Sequence, residues 1–478
     1  MLTSIGRKFV SGSAWQVGTR VVTILLSFGT NIVLARILMP DQFGTFFLAL
    51  SITELIYILG SWSFSTAIIQ AKEIKQAFLD TAYWLLLALG GMLFLIILAG
   101  SFLLKTFYSH EILKIMVVLS AIKIPTLLST CYSATVERNL GYEKVSMVQL
   151  VGRTTPMLAA VAFAVLGFGV WSFVGRSIVE SFLIFFGMRM ISPWNFRRNF
   201  SASSARYLMG FGAKMLMSRG LEIFIHRLPQ LVIGSVIGTV GLGCYGQANI
   251  LAELGHRFGG PVNIVSLAAY SRLQDSREKR SKAFNMINYF LIRISVIVAV
   301  LFLLFGKEIV VFLYGDKWEA AGEVLRFFSL YTLSVTLFKD LQHFLYSQGE
   351  ILKTVKMGGF QAIFLAAGML IVPYYGIKGI ALIMGLVYSV GTVLGYVYVK
   401  QYVDADFNRL LTPAVLTGAV LSTFLLLIRN FTPQFKVEGY LVIPTVIIVT
   451  LVYFSILYFI EKEQVKQGIG YLMRVIRS

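Results

Sequence analysis

The 478 residues are 57% hydrophobic and only 14% charged, with a mean hydropathy of +0.77 and a formal net charge of +19. A soluble chain would carry roughly a quarter of its residues charged, so the composition excludes a soluble globular enzyme and makes lipid the solvent for most of the surface. The positive balance, which on a soluble protein would point to nucleic acid, is what a membrane protein retains in its cytoplasmic loops.

Apolar stretches of about 20 residues predict fourteen membrane-spanning helices. They lie near 11–35, 44–67, 81–103, 115–134, 145–166, 170–188, 208–236, 243–266, 284–305, 321–346, 357–373, 379–399, 410–428 and 439–460. Their length excludes barrel strands, which need only about ten alternating residues. With the N-terminus in the cytoplasm, 23 Lys/Arg fall in cytoplasmic segments and 8 in outside loops. The charge bias therefore places both termini in the cytoplasm. No cleaved signal peptide is expected, because the first run is polar on one face and lacks an Ala-x-Ala site. Cys131 and Cys244 each sit in an apolar run and read as small buried hydrophobes. Two pieces read as amphipathic surface anchors: "SPWNFRRNF" (Ser192 to Phe200) and the C-terminal "VKQGIGYLMRVIRS".

Eleven Lys/Arg remain inside the spans: Arg20, Lys123, Arg153, Arg176, Lys214, Arg219, Arg227, Arg257, Arg293, Arg326 and Lys339. A cation at mid-membrane costs about 2.5–3.5 kcal/mol, so Arg20, Lys123, Arg219 and Arg293 must face protein or water. Against them stand Glu54, Glu180, Glu222, Glu253 and Asp340, with Arg176–Glu180 and Lys339–Asp340 spaced as ready pairs. The surplus of cations suits an anion that crosses the membrane. In the first span, Ser13, Gln16, Arg20, Thr23, Ser27 and Thr30 form a polar stripe fit to line a water-filled cavity. In "SRGLEIFIHRLPQLVIG", Arg219, Glu222 and His226 share another, with Arg227 close beside them. The last four spans carry no charge, which confines the transport machinery to about residues 1–350.

Displacing the chain by 199 residues sets Arg20 over Arg219, Gly44 over Gly243 and Glu54 over Glu253. The repeat covers six helices in one orientation, so two lobes related by an axis along the membrane normal are expected. The domains are then 1–200 and 201–405, with 406–478 adding two helices and a cytoplasmic tail. Arg20 and Arg219 would face each other across the cavity.

The segments "LARILMPDQFGTFFLAL" (Leu34 to Leu50), "ERNLGYEKVSMVQ" (Glu137 to Gln149), "QLVIGSVIGTVGLGCYGQANILAEL" (Gln230 to Leu254) and "LYGDKWEAAGEVLRFFSL" (Leu313 to Leu330) resemble landmarks of the polysaccharide flippases of the MOP superfamily. The resemblance implies an all-α polytopic fold of a twelve-helix core plus two helices, set in a bacterial cytoplasmic membrane. It implies movement of an undecaprenyl-pyrophosphate-linked oligosaccharide from the cytoplasmic to the outer leaflet, with polymerase and chain-length proteins as partners. Many relatives carry an acid where this chain has Pro229, so that position transfers no coupling role. On this reading Arg20, Lys123, Arg153, Arg176, Arg219, Arg227 and Arg293 bind the substrate. Glu54, Glu180, Glu222, His226, Glu253 and Asp340 are candidates for coupling to H+ or Na+. No catalytic residue, metal or cofactor is expected, and no nucleotide loop ending in Gly-Lys-Ser/Thr is present. A multidrug exporter of the same fold and a membrane polymerase or ligase remain as alternatives.

Overall fold

Backbone polar groups in hydrocarbon must find partners within their own segment, and the computed structural model is accordingly helical. It describes residues 2–60, 64–71, 74–254, 256, 266, 270–271, 273, 276–371, 375–431 and 439–462, without the side chains of 2–14, 17, 59, 214–215, 217–219, 371 and 429. The C-terminal segment expected to lie on the membrane begins at Val465 and falls outside the described residues. Among the described residues, nine helices are long and apolar enough to cross a membrane. The other five expected spans coincide with helices that are broken, more charged or only partly described. Large apolar side chains are exposed along the spans, including Leu95, Leu158, Ile363 and Leu451, as lipid-facing surfaces require.

The chain divides into two compact units, Met1–Gly243 and Cys244–Ser478. The first contains α1 (Leu2–Ile37), α2 (Pro40–Ile56), α3 (Phe64–Gln70), α4 (Gln76–Leu103), α5 (His110–Arg138), α6 (Tyr142–Val165), α7 (Trp171–Ile191) and α8 (Ala202–Val232), and it ends within α9 (Thr239–Ala252). α1 packs along α6, and α5 is surrounded by α2, α3, α4 and α7. α8, which the repeat assigns to the second lobe, packs here against α2, α3 and α4.

The expected second span is not one helix. After α2 the chain tightens into a 3₁₀ turn at Tyr57–Gly60 and resumes as α3. The Tyr57 hydroxyl donates to the carbonyls of Ser120, at 2.8 Å, and Gly90, at 3.3 Å, which fixes the break. At the far end, Arg138 Nη1 donates to the carbonyls of Ile68, Ile69 and Ala71, satisfying the open end of α3.

The segment after α7 corrects a second expectation. Trp194 is only 5% exposed and packs beside Tyr83 and Tyr132 in the core, while Phe196 lies tilted against Tyr83 and edge-on to Trp84. The buried Asp80 carboxylate turns this loop inward by accepting from the backbone N–H groups of Arg197 and Asn199. Only Phe200 keeps an exposed ring.

The start of α2 crosses the start of α9 without side chains between them. A methyl group added at Gly44 would overlap the carbonyl of Thr239, and one added at Gly243 would overlap that of Pro40. Both pairs are displaced by 199 residues, so the contact is reciprocal and lies within the first unit. Thr239 also donates from its hydroxyl to Asp41.

The second unit holds α10 (Arg277–Tyr314), α11 (Glu319–Phe327), α12 (Ser329–Ser347), α13 (Ile351–Ile371), α14 (Gly376–Val399), α15 (Phe407–Phe431) and α16 (Val442–Ile460). α10 packs against α11, α12, α15 and α16, and α12 against α14. The expected tenth span is again two helices, α11 and α12, joined at Phe328.

Candidate functional site

Glu54 lies one turn before the break in α2, and its carboxylate is held from two sides. Lys123 Nζ of α5 approaches Oε1 at 3.2 Å, and Arg227 Nε of α8 approaches Oε2 at 2.7 Å. Arg227 Nη1 also donates to Gln230 Oε1, at 2.7 Å, and the Ser51 hydroxyl lies 2.7 Å from that oxygen. The network thus ties α2, α5 and α8 together through one carboxylate and two cations, leaving a net positive charge. The side chains of Lys123, Arg227 and Glu54 keep exposures of 30%, 21% and 25%. They are reachable rather than sealed. Ser51 and Gln230, both buried, anchor the network and were not singled out by sequence, because a lone Ser or Gln in an apolar run carries no distinctive spacing.

The remaining expected residues fall in several places. Arg20 is exposed on α1 and Arg153 on α6; Arg176 is half-buried on α7, one turn from Glu180, with which it interacts electrostatically. Glu222 is exposed and His226 half-buried on α8. Arg219 and Lys214 have side chains outside the described set, as does Arg257 entirely, so the expected pairing of Arg20 with Arg219 lies outside the described residues. Glu253 accepts from Asn249 at 3.2 Å.

Arg293 is a correction. Read from sequence as a surplus mid-span cation, it is 3% exposed and paired with Glu461, the residue that follows α16. Its Nε donates to Glu461 Oε2 at 3.0 Å, its Nη1 to the carbonyls of Tyr289 and Leu410, and its guanidinium lies 3.5 Å from the Tyr289 ring centroid. The reason lies in α10, which kinks at Phe305; its stretch from Arg277 to the kink alone extends about 42 Å and outruns a hydrocarbon core of about 30 Å. Arg293 therefore sits level with the end of α16. Arg326 also has partners, Glu323 at 3.3 Å and Glu308 at 3.8 Å. The surplus of cations is smaller than the count suggested, because Arg293 and Arg326 in the second unit each have a carboxylate partner.

Lys339 and Asp340 do not form the isolated neighbouring pair that their adjacency suggested. Asp340 is fully buried on α12, accepting hydrogen bonds from Ser266, Tyr270 and Asn288, while Lys339 is half-buried.

A family described as "Polysaccharide biosynthesis protein" matches residues 33–323. The chain is 24% identical over 336 residues to the succinoglycan biosynthesis transport protein ExoT of Rhizobium meliloti (strain 1021), covering 69% of this chain and 67% of that one. It is 23% identical over 415 residues to the lipopolysaccharide biosynthesis protein WzxC of Escherichia coli (strain K12), covering 85% and 84%. Among solved structures, the lipid II flippase MurJ in an inward closed conformation superposes with a TM-score of 0.72 at 13% identity, over 95% of this chain and all of that one. That likeness shows the fold, an all-α polytopic membrane protein. With more than half its length matched, the chain belongs to the polysaccharide biosynthesis protein family.

Proposed function

We propose that this protein translocates an undecaprenyl-pyrophosphate-linked oligosaccharide from the cytoplasmic to the outer leaflet of the bacterial cytoplasmic membrane, by alternating access. The observation that carries the reading is the Lys123–Glu54–Arg227 cluster, two accessible cations sharing one carboxylate deep in an apolar unit. A pyrophosphate offers what Glu54 offers, pairs of anionic oxygens, and Arg presents a fork of donors matched to them. The head group would exchange with Glu54 for Arg227 and Lys123, with Arg20, Arg153 and Arg176 as further contacts on α1, α6 and α7. Glu54, released or re-paired, is the group best able to couple this exchange to a proton or an ion. The names of the similar proteins, a succinoglycan transport protein, a lipopolysaccharide biosynthesis protein and a lipid II flippase, support the same substrate class. The cytoplasmic placement of both termini is part of the proposal and rests on the Lys/Arg bias.

The test is surface glycan export in cells that depend on this protein. Arg227→Gln and Lys123→Gln should fold and reach the membrane, yet export at least tenfold less glycan, while Arg227→Lys restores part of it. Export at the normal rate from stable Arg227→Gln and Lys123→Gln proteins would defeat the anionic-substrate reading. Efflux of an organic cation such as ethidium, lost with Glu54→Gln, would favour the multidrug alternative.

A further inference from the structure

Within the first unit, α2 and α8 meet in antiparallel register. Ser51 faces Gln230 and, one turn along, Glu54 faces Arg227. A side chain added at Gly234 would meet Leu48, and one added at Gly220 would meet Ile58. Apolar contacts therefore close the two helices together on either side of these polar pairs. The pairs differ in access: the Arg227 side chain keeps 21% of its surface open, whereas Ser51 and Gln230 are buried.

The proton count at Ser51 does not close. Its Oγ lies 2.6 Å from the Phe47 carbonyl and 2.7 Å from Gln230 Oε1, and both are acceptors. A hydroxyl has a single proton, so one of the two contacts brings oxygen against oxygen with nothing between. Gln230 keeps its Oε1 there because the same oxygen accepts from Arg227 Nη1 at 2.7 Å. Turned about, the amide would set its N–H groups against those of the guanidinium. The charged donor decides the orientation, and Ser51 is left short. In return Arg227 is pinned at two points, Nε on Glu54 and Nη1 on Gln230. Its Nη2 has no acceptor among the described residues.

We propose that Gln230 is a positioning residue for substrate binding, which holds the free edge of the Arg227 guanidinium open to a diphosphate and turns its amide by half a rotation once the diphosphate has drawn Arg227 away. Nε2 then donates to Ser51 Oγ, and Ser51 gives its one proton to the Phe47 carbonyl. Every contact in the row now carries a proton. The link between α2 and α8 persists at Ser51–Gln230 while it opens at Glu54–Arg227. A side chain must both donate and accept to serve the two states. A carboxylate at this position would keep Arg227 through a charge-assisted bond, and an apolar side chain would hold neither partner. The diphosphate in this scheme rests on the translocation reading above; the hold of the amide on Arg227 does not.

The experiment uses the full chain in detergent, with farnesyl pyrophosphate as the probe. Gln230→Glu should raise Tm by roughly 2–4 degrees without the probe, because it tightens the grip on Arg227, and should bind the probe far more weakly. Gln230→Met keeps the size of the side chain, so Tm should hardly move while the probe binds about tenfold more weakly. In protein labelled with 15N-glutamine, the side-chain amide signal that Gln230→Met removes should shift as the probe saturates. Ser51→Ala should suppress most of that shift while the probe still binds; this variant leaves Arg227 its partner and keeps the test decisive if Gln230→Met does not fold. A fall in Tm for Gln230→Glu with probe binding unchanged, or an amide signal that stays still beneath bound probe, would overturn the proposal. Loss of binding in Arg227→Gln but in neither Gln230 variant would spare the translocation reading and sink this one. If the unaltered protein ignores the probe, the translocation reading falls and the diphosphate half of this one with it, while the Tm of Gln230→Glu still judges the hold on Arg227.

Discussion

Two arginines, both read from sequence as cations stranded in the membrane, end in opposite circumstances. Arg227 shares Glu54 with Lys123, and all three side chains keep between a fifth and a third of their surface open. Arg293 and Glu461 are 4% and 2% exposed, and each guanidinium nitrogen has a named acceptor. The difference lies in stoichiometry and access rather than residue type. A carboxylate divided between two cations can surrender one of them to an incoming anion. A one-to-one pair sealed by Tyr289 has nothing to surrender, and it serves to tie the end of α16 to α10.

The sharpest way to break this contrast is Arg293→Gln, which leaves Glu461 buried without its counter-charge. A loss of about 3–5 kcal/mol is expected, visible as a large fall in Tm and membrane yield, and Arg293→Met with Glu461→Met should recover most of it. Gly44→Leu sharpens the contrast from the other side, because it displaces the helix bearing Glu54 without changing any charge. It should destabilise by about 1–3 kcal/mol and lower export beyond what the yield explains. Arg227→Gln should change stability by no more than about 1 kcal/mol, since Lys123 still holds Glu54, while export collapses. If its Tm falls as far as that of Arg293→Gln, the two sites are alike and the contrast fails.

Two exposed contacts extend the series downward. Arg277 and Asp404 pair at 2.7 Å with most of both side chains in solvent, so Arg277→Ala should shift stability by less than about 0.5 kcal/mol. Smallest of all is a pH effect at Glu350. The Tyr402 phenol donates to its carboxylate, and this contact, with Lys353 beside it, holds Glu350 below the usual carboxylate range. A lowered pKa gives stability that is present above the unfolded value and lost as pH falls through the folded one. Tyr402→Phe should therefore flatten the acid limb of Tm against pH and leave neutral pH almost unchanged.

The helices were legible because each span announces itself within about 20 consecutive residues. The break in the second span was not, since the Tyr57 hydroxyl finds its acceptors on α4 and α5, 33 and 63 positions away. Charged residues were legible as anomalies but not as partners. Glu54 is separated from Lys123 by 69 positions and from Arg227 by 173, and Arg293 from Glu461 by 168. Counting cations against acids within spans omitted Glu461 because it stands just past the last apolar run. Trp194 misled for a related reason. Beside Arg197 and Arg198 it looks like an interfacial aromatic, and only Asp80, more than a hundred positions earlier, bends that loop into the core.

The crossing of α2 and α9 has a consequence for how this chain tolerates change. At Gly44 and Gly243 each glycine makes room for a carbonyl one helical turn before the other. Neither can stand in for the other, and a side chain at either position disturbs the same crossing. One crossing thus has two positions, far apart in the sequence, where a single side chain does harm.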